Sequence, residues 1–310
     1  MNTISQATVA EPDNSPEPID FSRPFIPEQL TPLYYTSVYA RLSDEQRLRY
    51  NQLHSFYFNE QTIFFESAMA RYILGDFVPR ELPLGLAEGL RTFVAEEAEH
   101  SQMFRDLNRR CCPNIYSKTD FYFIRVPGIS SLCLGQWVRQ AHWFPFFLWI
   151  LLIQEERALW FAKAFLAKGH ELEANFVGTQ RRHLADEVGH IQWDEELLDW
   201  VWPRMAKTRR QFNARLFIWM MGEYFTTPKR SGLRVAAELA GEYPALRPLW
   251  PEFQAQMLEL SRNERFNQMC YSREITPKSF ARFDRWPEFH GLNKVLPSYQ
   301  PPQDVAKASK

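Results

Sequence analysis

The sequence predicts an all-α protein built around a bundle of long helices. Three observations carry that expectation. Glycine is scarce, with 12 residues in a chain of 310, and the alternating apolar and polar runs that mark strands are nearly absent. No proline falls between residues 146 and 202, which leaves room for two long uninterrupted helices in succession. Helix-breaking residues at Gly75, Pro113, Gly169 and Pro203 bound the long segments on either side.

Residues 1–32 are proline-rich with little helical pattern, so residues 1–20 are expected to be a disordered tail leading into a surface arm near Phe21–Ile26. Ser43-Asp44-Glu45-Gln46 is a capping-box arrangement, and Asp44 and Glu45 suit the positive end of a helix. The first long helix is therefore expected from Ser43 to Leu74. A second spans about 84–110 and stops before Pro113. Residues 114–128 read as an irregular connection and 129–140 as a short crossover helix. A third long helix starts around Trp143, with Pro145 tolerated in its first turn, and ends at Gly169. The fourth runs from Leu172 to Trp200. Further helical segments are expected near 206–225, 231–241 and 245–270. The stretch TPKSFARFDRWPEF should lay its aromatics on the bundle, and residues 291–310 read as a loose C-terminal tail. Four long helices with a longer connection between the second and third is the layout of a ferritin-like four-helix bundle, here with additional helices.

Charge and composition narrow the function classes. The formal net charge is -1, with 36 basic and 37 acidic residues mixed along the chain. No electrostatic footprint for nucleic acid or an acidic membrane surface is visible. The most apolar stretch, Phe144–Ile153, is too short to span a bilayer, where about 20 residues are needed. No signal peptide is seen in the polar first residues. The four cysteines, Cys111, Cys112, Cys133 and Cys270, have no paired CxxC spacing, which points to a reduced, cytoplasmic setting.

Chemistry is carried by two segments, Glu96-Glu97-Ala98-Glu99-His100 and Asp186-Glu187-Val188-Gly189-His190. Each contains Glu-x-x-His, and on a helix positions i and i+3 share a face, so each offers a carboxylate and an imidazole to one metal. One such motif arises often by chance. Two, on the second and fourth long helices, point to a dinuclear site. A dinuclear site then asks for a carboxylate from each of the other two helices. On the first, Glu66 lies in an otherwise apolar stretch, where an unpaired carboxylate would cost several kcal/mol, roughly, without a compensating cation. Its competitor Glu60, between Asn59 and Gln61, reads as solvated. On the third helix, Glu155 and Glu156 follow an apolar run and helical phase does not separate them. Glu155 lies opposite Arg157 and Lys168, which favours it as the inward residue. The string Glu-Arg-Ala-Leu-Trp resembles that around the third-helix ligand of soluble acyl-carrier-protein desaturases, and on that ground Glu156 is chosen. His183 precedes Glu187 by four residues and His190 by seven, which places all three on one face as a third imidazole donor. Asp186 and Glu96 are expected to accept the outer N–H of an imidazole from the opposite helix. Hard carboxylates with imidazoles suit two iron ions and O2 as co-substrate, although manganese fits the same donors.

Glu66, Glu97-x-x-His100, Glu156 and His183-x3-Glu187-x-x-His190 together resemble the metal-ligand pattern of the arylamine N-oxygenases, the family typified by aminobenzoate N-oxygenase. The stretch RLSDEQRLRYNQLHSFYFNEQTIFFE is similar as well, and the likeness covers residues 21–290. His183 is its specific element, because ferritins, desaturases and ribonucleotide reductase small subunits lack such a ligand there. The resemblance implies a non-haem di-iron monooxygenase that converts an aromatic amine to hydroxylamine, nitroso or nitro products in secondary metabolism. It also implies a homodimer. No flavin or nicotinamide motif is present, so electrons are expected from a separate reductase. Arg125, Arg139 and Arg157 are equal candidates to hold a carboxylate on such a substrate.

The competing reading is a di-iron hydroxylase or desaturase acting on an aliphatic or carrier-bound substrate, which shares every ligand except His183. A radical-generating reductase subunit would carry a tyrosine where this chain has Phe104. Iron storage predicts a smaller chain.

Overall fold

Ser43 starts the first long helix as a capping box. Its hydroxyl accepts from the Gln46 N–H at 3.3 Å, and the Gln46 side chain accepts from the Ser43 N–H at 3.0 Å. Donors that the first turn cannot satisfy internally are thereby paired. The computed structural model describes residues 17–125 and 128–302. Helix α1 spans Asp44–Phe64 and then passes, without breaking, into a π-helical segment, Phe65–Ala70. It continues as α2, Arg71–Phe77. The single helix expected to stop before Gly75 is thus two α-helical pieces joined by a wider turn, and it runs on past that glycine.

Helix α3 is Leu84–Cys111, and α4 is one turn, Pro113–Tyr116. The crossover carries α5, Gly128–Val138. The two proline-free helices follow: α6, Phe146–Ala167, with Pro145 at its N-cap, and α7, Ala174–Val201. Beyond the bundle come α8 (Lys207–Met220), a second π-helical segment (Met221–Phe225), α9 (Ser231–Glu242), α10 (Trp250–Glu259), α11 (Glu264–Cys270) and α12 (Pro277–Arg285). There are no strands among the described residues, and no helix there is long and apolar enough to cross a membrane. The four cysteines are unpaired.

Helices α6 and α7 lie along one another, α3 packs on α7 and α1, and α9 covers the outer side of α1. Gly89 on α3 permits close approach to α7, because a Cβ there would run into the indole of Trp193. Trp149 on α6 fixes the C-terminal part of the chain. It meets Trp202 edge-on at 5.0 Å, stacks on Phe283 at 5.4 Å and touches Phe289 at 4.3 Å. Such aromatic clusters bury large areas and favour tilted or edge contacts.

Two expectations change here. Glu60 is not solvated: it is fully buried and accepts the N–H groups of Tyr122, Phe123 and Ile124 at 2.8, 2.9 and 2.8 Å and the Tyr116 hydroxyl at 2.7 Å. It pins the irregular connection, whose backbone donors have no helix of their own to pair with. The C-terminal tail is also shorter than expected, since Leu292, Leu296 and Tyr299 are buried in the main body. Residues 1–16 and 303–310, the rest of the two expected tails, lie outside the described residues.

Candidate metal centre

The Glu-x-x-His residues of α3 and α7 face each other across the bundle. Glu97, His100, Glu187 and His190 are all buried. The Nδ1 atoms of His100 and His190 turn inward because the outer nitrogens are held. His100 Nε2 lies 3.1 Å from Asp186 Oδ2, and His190 Nε2 lies 3.0 Å from Glu96 Oε2. Each carboxylate therefore reaches across from the opposite helix to fix a ring's orientation and tautomer, as the paired acidic residues of the motifs lead one to expect. Phe93 stacks on the His190 ring at 3.9 Å, and Phe104 meets His183 edge-on at 5.2 Å.

Inward-facing atoms converge in three overlapping triads whose donors lie within 4.8 Å of one another: Glu66–His100–His183, Glu97–His100–His190 and Glu155–Glu187–His190. Glu97 Oε1 is 3.8 Å from His100 Nδ1 and 3.4 Å from His190 Nδ1. His183 Nε2 is 3.1 Å from Glu66 Oε1 and 2.7 Å from Glu187 Oε1. Glu66 sits in the π-helical segment, where the wider turn sets its phase, and its other oxygen accepts from Ser101 at 3.2 Å.

The third-helix carboxylate in this cluster is Glu155, not Glu156. Glu155 Oε2 is 3.9 Å from His190 Nδ1. Glu156 turns the other way and accepts the N–H groups of Lys278 and Ser279 at 2.7 and 2.8 Å, at the start of α12. There it satisfies donors of a first helical turn and faces that helix's positive end. Successive residues on a helix point about 100° apart, so only one of the pair can face inward.

Burial is the largest influence on Glu66, Glu97, Glu155, His183, Glu187 and His190. It pushes Glu97 and Glu155 well above the usual carboxylate range, and the neighbouring carboxylates push them further. Glu66 is raised for the same first reason. Burial lowers His190 to about 4. Burial also works against ionisation of His183 and Glu187, but their close pairing overcomes it, raising the imidazole and lowering the carboxylate. Both oxygens of Glu97, Glu187 Oε2 and the Nδ1 atoms of His100 and His190 are buried with no hydrogen-bond partner, and Glu66 Oε1 and Glu187 Oε1 have only the His183 ring beside them. Orphaned acceptors this close together are costly in a protein interior unless cations sit among them. The donor set therefore fits two divalent metal ions.

Asp194 was not anticipated. It lies one turn beyond His190 on the same face, is buried, and has neither oxygen hydrogen-bonded. Burial, then Glu187, raises its pKa well above the ordinary value. Its four- and seven-residue spacing from His190 and Glu187 was the available signal.

On the α1–α6 side, a cavity of about 330 Å³ reaches Glu66, Glu155 and His183. Phe58, Phe65 and Phe161 supply apolar wall, and both π-helical segments contribute to it. That volume suits a small organic molecule.

Comparison with known proteins gives a consistent assignment. The family model described as p-aminobenzoate N-oxygenase AurF matches residues 10–243. No curated protein matches the sequence.

Proposed function

Since the chain belongs to the p-aminobenzoate N-oxygenase AurF family, an oxygenase family, we propose that it holds two iron ions in the Glu66, Glu97, His100, Glu155, His183, Glu187 and His190 cluster. With them it uses O2 to oxygenate the nitrogen of an aromatic amine. The observation that carries this reading is the convergence of unpartnered carboxylate and Nδ1 atoms in a buried site that opens onto a cavity. When bound, the iron pair supplies the electrons and open coordination positions that O2 reduction needs.

The chain's own residues do the rest. Asp186 and Glu96 hold the imidazoles of His100 and His190 in the tautomer that presents Nδ1 inward. Phe93 and Phe104 keep water from the imidazole faces. The aromatic cavity wall orients a planar substrate so that its amine meets the Glu66–Glu155–His183 end. Electrons come from a separate reductase, on the lack of a flavin or nicotinamide motif; the homodimer and the place in secondary metabolism rest on the resemblance, and the cytoplasmic setting on cysteines without paired spacing.

Anaerobic loading with ferrous iron, followed by metal analysis, is expected to give about two ions per chain, the nuclearity of carboxylate-bridged bundle sites. Glu97→Ala should fall well below that. Loaded protein given a chemical reductant, O2 and a panel of aryl amines should yield products carrying added oxygen on nitrogen, read by mass spectrometry. Unchanged stoichiometry in Glu97→Ala would remove the site assignment. Oxidation of aliphatic substrates alone would move the protein to the hydroxylase or desaturase reading.

A further inference from the structure

Among the described residues, the imidazoles of His100, His183 and His190 meet few rings besides one another. Phe93 stacks on His190 at 3.9 Å and Phe104 meets His183 at 5.2 Å. The remaining ring is Trp193, one turn along α7, whose centroid lies 6.2 Å from that of His190 at an interplanar angle of 33°. A phenyl ring holds its electrons too tightly to take part in redox chemistry, whereas indole is among the most readily oxidised side chains. Trp193 is therefore the ring in contact with the cluster that can give up an electron.

Both flanking helices make room for it. On α3, a Cβ at Gly89 would lie 2.2 Å from the indole Nε1, so the pyrrole edge rests against bare backbone. On α7, a Cβ at Gly189 would touch the six-membered ring at 3.7 Å. Trp193 is half-buried. Its inner side meets His190 and, at 6.1 Å, Phe93, and the rest of the ring reaches the α3–α7 surface beside exposed Gln192. His190 presents Nδ1 to the cluster and gives Nε2 to Glu96. One imidazole and one indole thus link the buried donors to solvent. The other tryptophans lack this placement. Trp149 and Trp202 are buried against each other, away from the imidazoles, and Trp143 and Trp219 are exposed by 60% and 44% with no ring of the cluster beside them.

We infer that Trp193 is a one-electron relay between the metal centre and the protein surface, refilled at the α3–α7 seam by an external one-electron donor. The inference rests on the metal-pair reading of the cluster. Trp193 loses one electron, through the His190 ring, to a metal pair oxidised by O2, and its Nε1 proton passes to water at the seam. The external donor then returns one electron and water returns the proton, which leaves the indole as it began. The relay serves when no amine fills the cavity, because oxidising equivalents then leave by a route that spares the cavity wall.

The test takes ferrous-loaded wild-type protein through repeated exposure to O2 without amine or reductant. Peptide mapping by mass spectrometry and paramagnetic resonance of samples frozen during the reaction are the readouts. Added oxygen is expected on Trp193 ahead of Trp143 and Trp219, although those two are the more exposed. Trp193→Phe should keep its metal content and lose the indole radical signal. Re-reduction of its oxidised metal pair by reduced ferredoxin, a donor too large for the cavity, should be several-fold slower. Trp193→Tyr keeps an oxidisable ring and serves if the phenylalanine variant does not fold; it should show a tyrosyl signal in place of the indole one. Oxygen spread evenly over Trp143, Trp219 and Trp193 would overturn the relay, since a diffusing oxidant would then be at work. So would a radical signal that survives Trp193→Phe, or re-reduction at equal rates in the two proteins. N-oxygenation of an amine by a protein whose Trp193 stays unmarked and silent would overturn the relay and leave the N-oxygenase reading in place. A marked Trp193 in a protein that makes no N-oxygenated product would leave the relay standing and remove that reading instead.

Discussion

At the scale of single residues, adjacent side chains of one helix are divided between two tasks. Glu155 joins the buried cluster, whereas Glu156 fastens α12 to α6 through two backbone N–H groups. Glu155→Ala is expected to lower metal stoichiometry with little change in fold. Glu156→Ala should keep the metal content and lose about 1–2 kcal/mol of stability, the scale of a lost helix cap; calorimetry with metal analysis separates the two. The sequence leaves this pair undecided because both residues are buried and lie on the same apolar helix, and what distinguishes them, the start of α12, is more than a hundred residues away. Glu60 misled for a related reason. Its neighbours Asn59 and Gln61 suggest solvent, but the groups that bury it come from the distant Tyr122–Ile124 backbone. The two Glu-x-x-His motifs and their acidic partners were legible because their geometry is set within one helix. His54 gives a pH signature. Burial lowers its pKa to about 3 from an ordinary 6.5, so as pH falls below 6.5 the unfolded chain takes up a proton that the folded chain refuses. Its contribution is complete above 6.5 and is lost as pH falls toward 3. Relative to His54→Gln, the wild type should lose roughly 2 kcal/mol of stability between pH 7 and pH 5, measured by denaturant melts at each pH. Parallel profiles would show that the ring is protonated in the fold.

At the scale of elements, the long helices were legible to within a few residues, since proline, glycine and capping residues mark their ends. The π-helical segments were not. A π turn arises from how a helix accommodates its neighbours, and no residue type in Phe65–Ala70 or Met221–Phe225 announces it. The packing of α3 on α7 depends on a missing side chain. Gly89→Ala would drive a methyl group into the Trp193 indole, and with Trp193 only a turn from Gly189 and tilted against Phe93 and His190, with ring centroids 6.1 and 6.2 Å away, there is little room to yield. The expected cost is about 1–3 kcal/mol, typical of overpacking, despite alanine's better helix propensity. A stabilised variant would show that the indole can turn aside.

At the scale of the whole molecule, the cluster ties together α1's π-helical extension, α3, α6 and α7, so its occupants should hold the fold together. Ligands that bind only the native state stabilise it by mass action, about 3 kcal/mol at a hundredfold excess over Kd. Chelation is therefore expected to lower the thermal midpoint, and readdition of ferrous iron to restore it in a concentration-dependent way; a midpoint indifferent to metal would argue that the native chain does not bind it. Asp186 and Glu96, the carboxylates behind the two imidazoles, are 39% and 28% exposed, while the rings they hold are 3% and 0% exposed. The cavity meets the cluster from the other side, through residues of α1, α6 and His183. The site is thus approached from two directions: the cavity meets it on the α1–α6 side, while on the α3–α7 side the partly exposed carboxylates of Asp186 and Glu96 link the buried imidazoles to the protein surface.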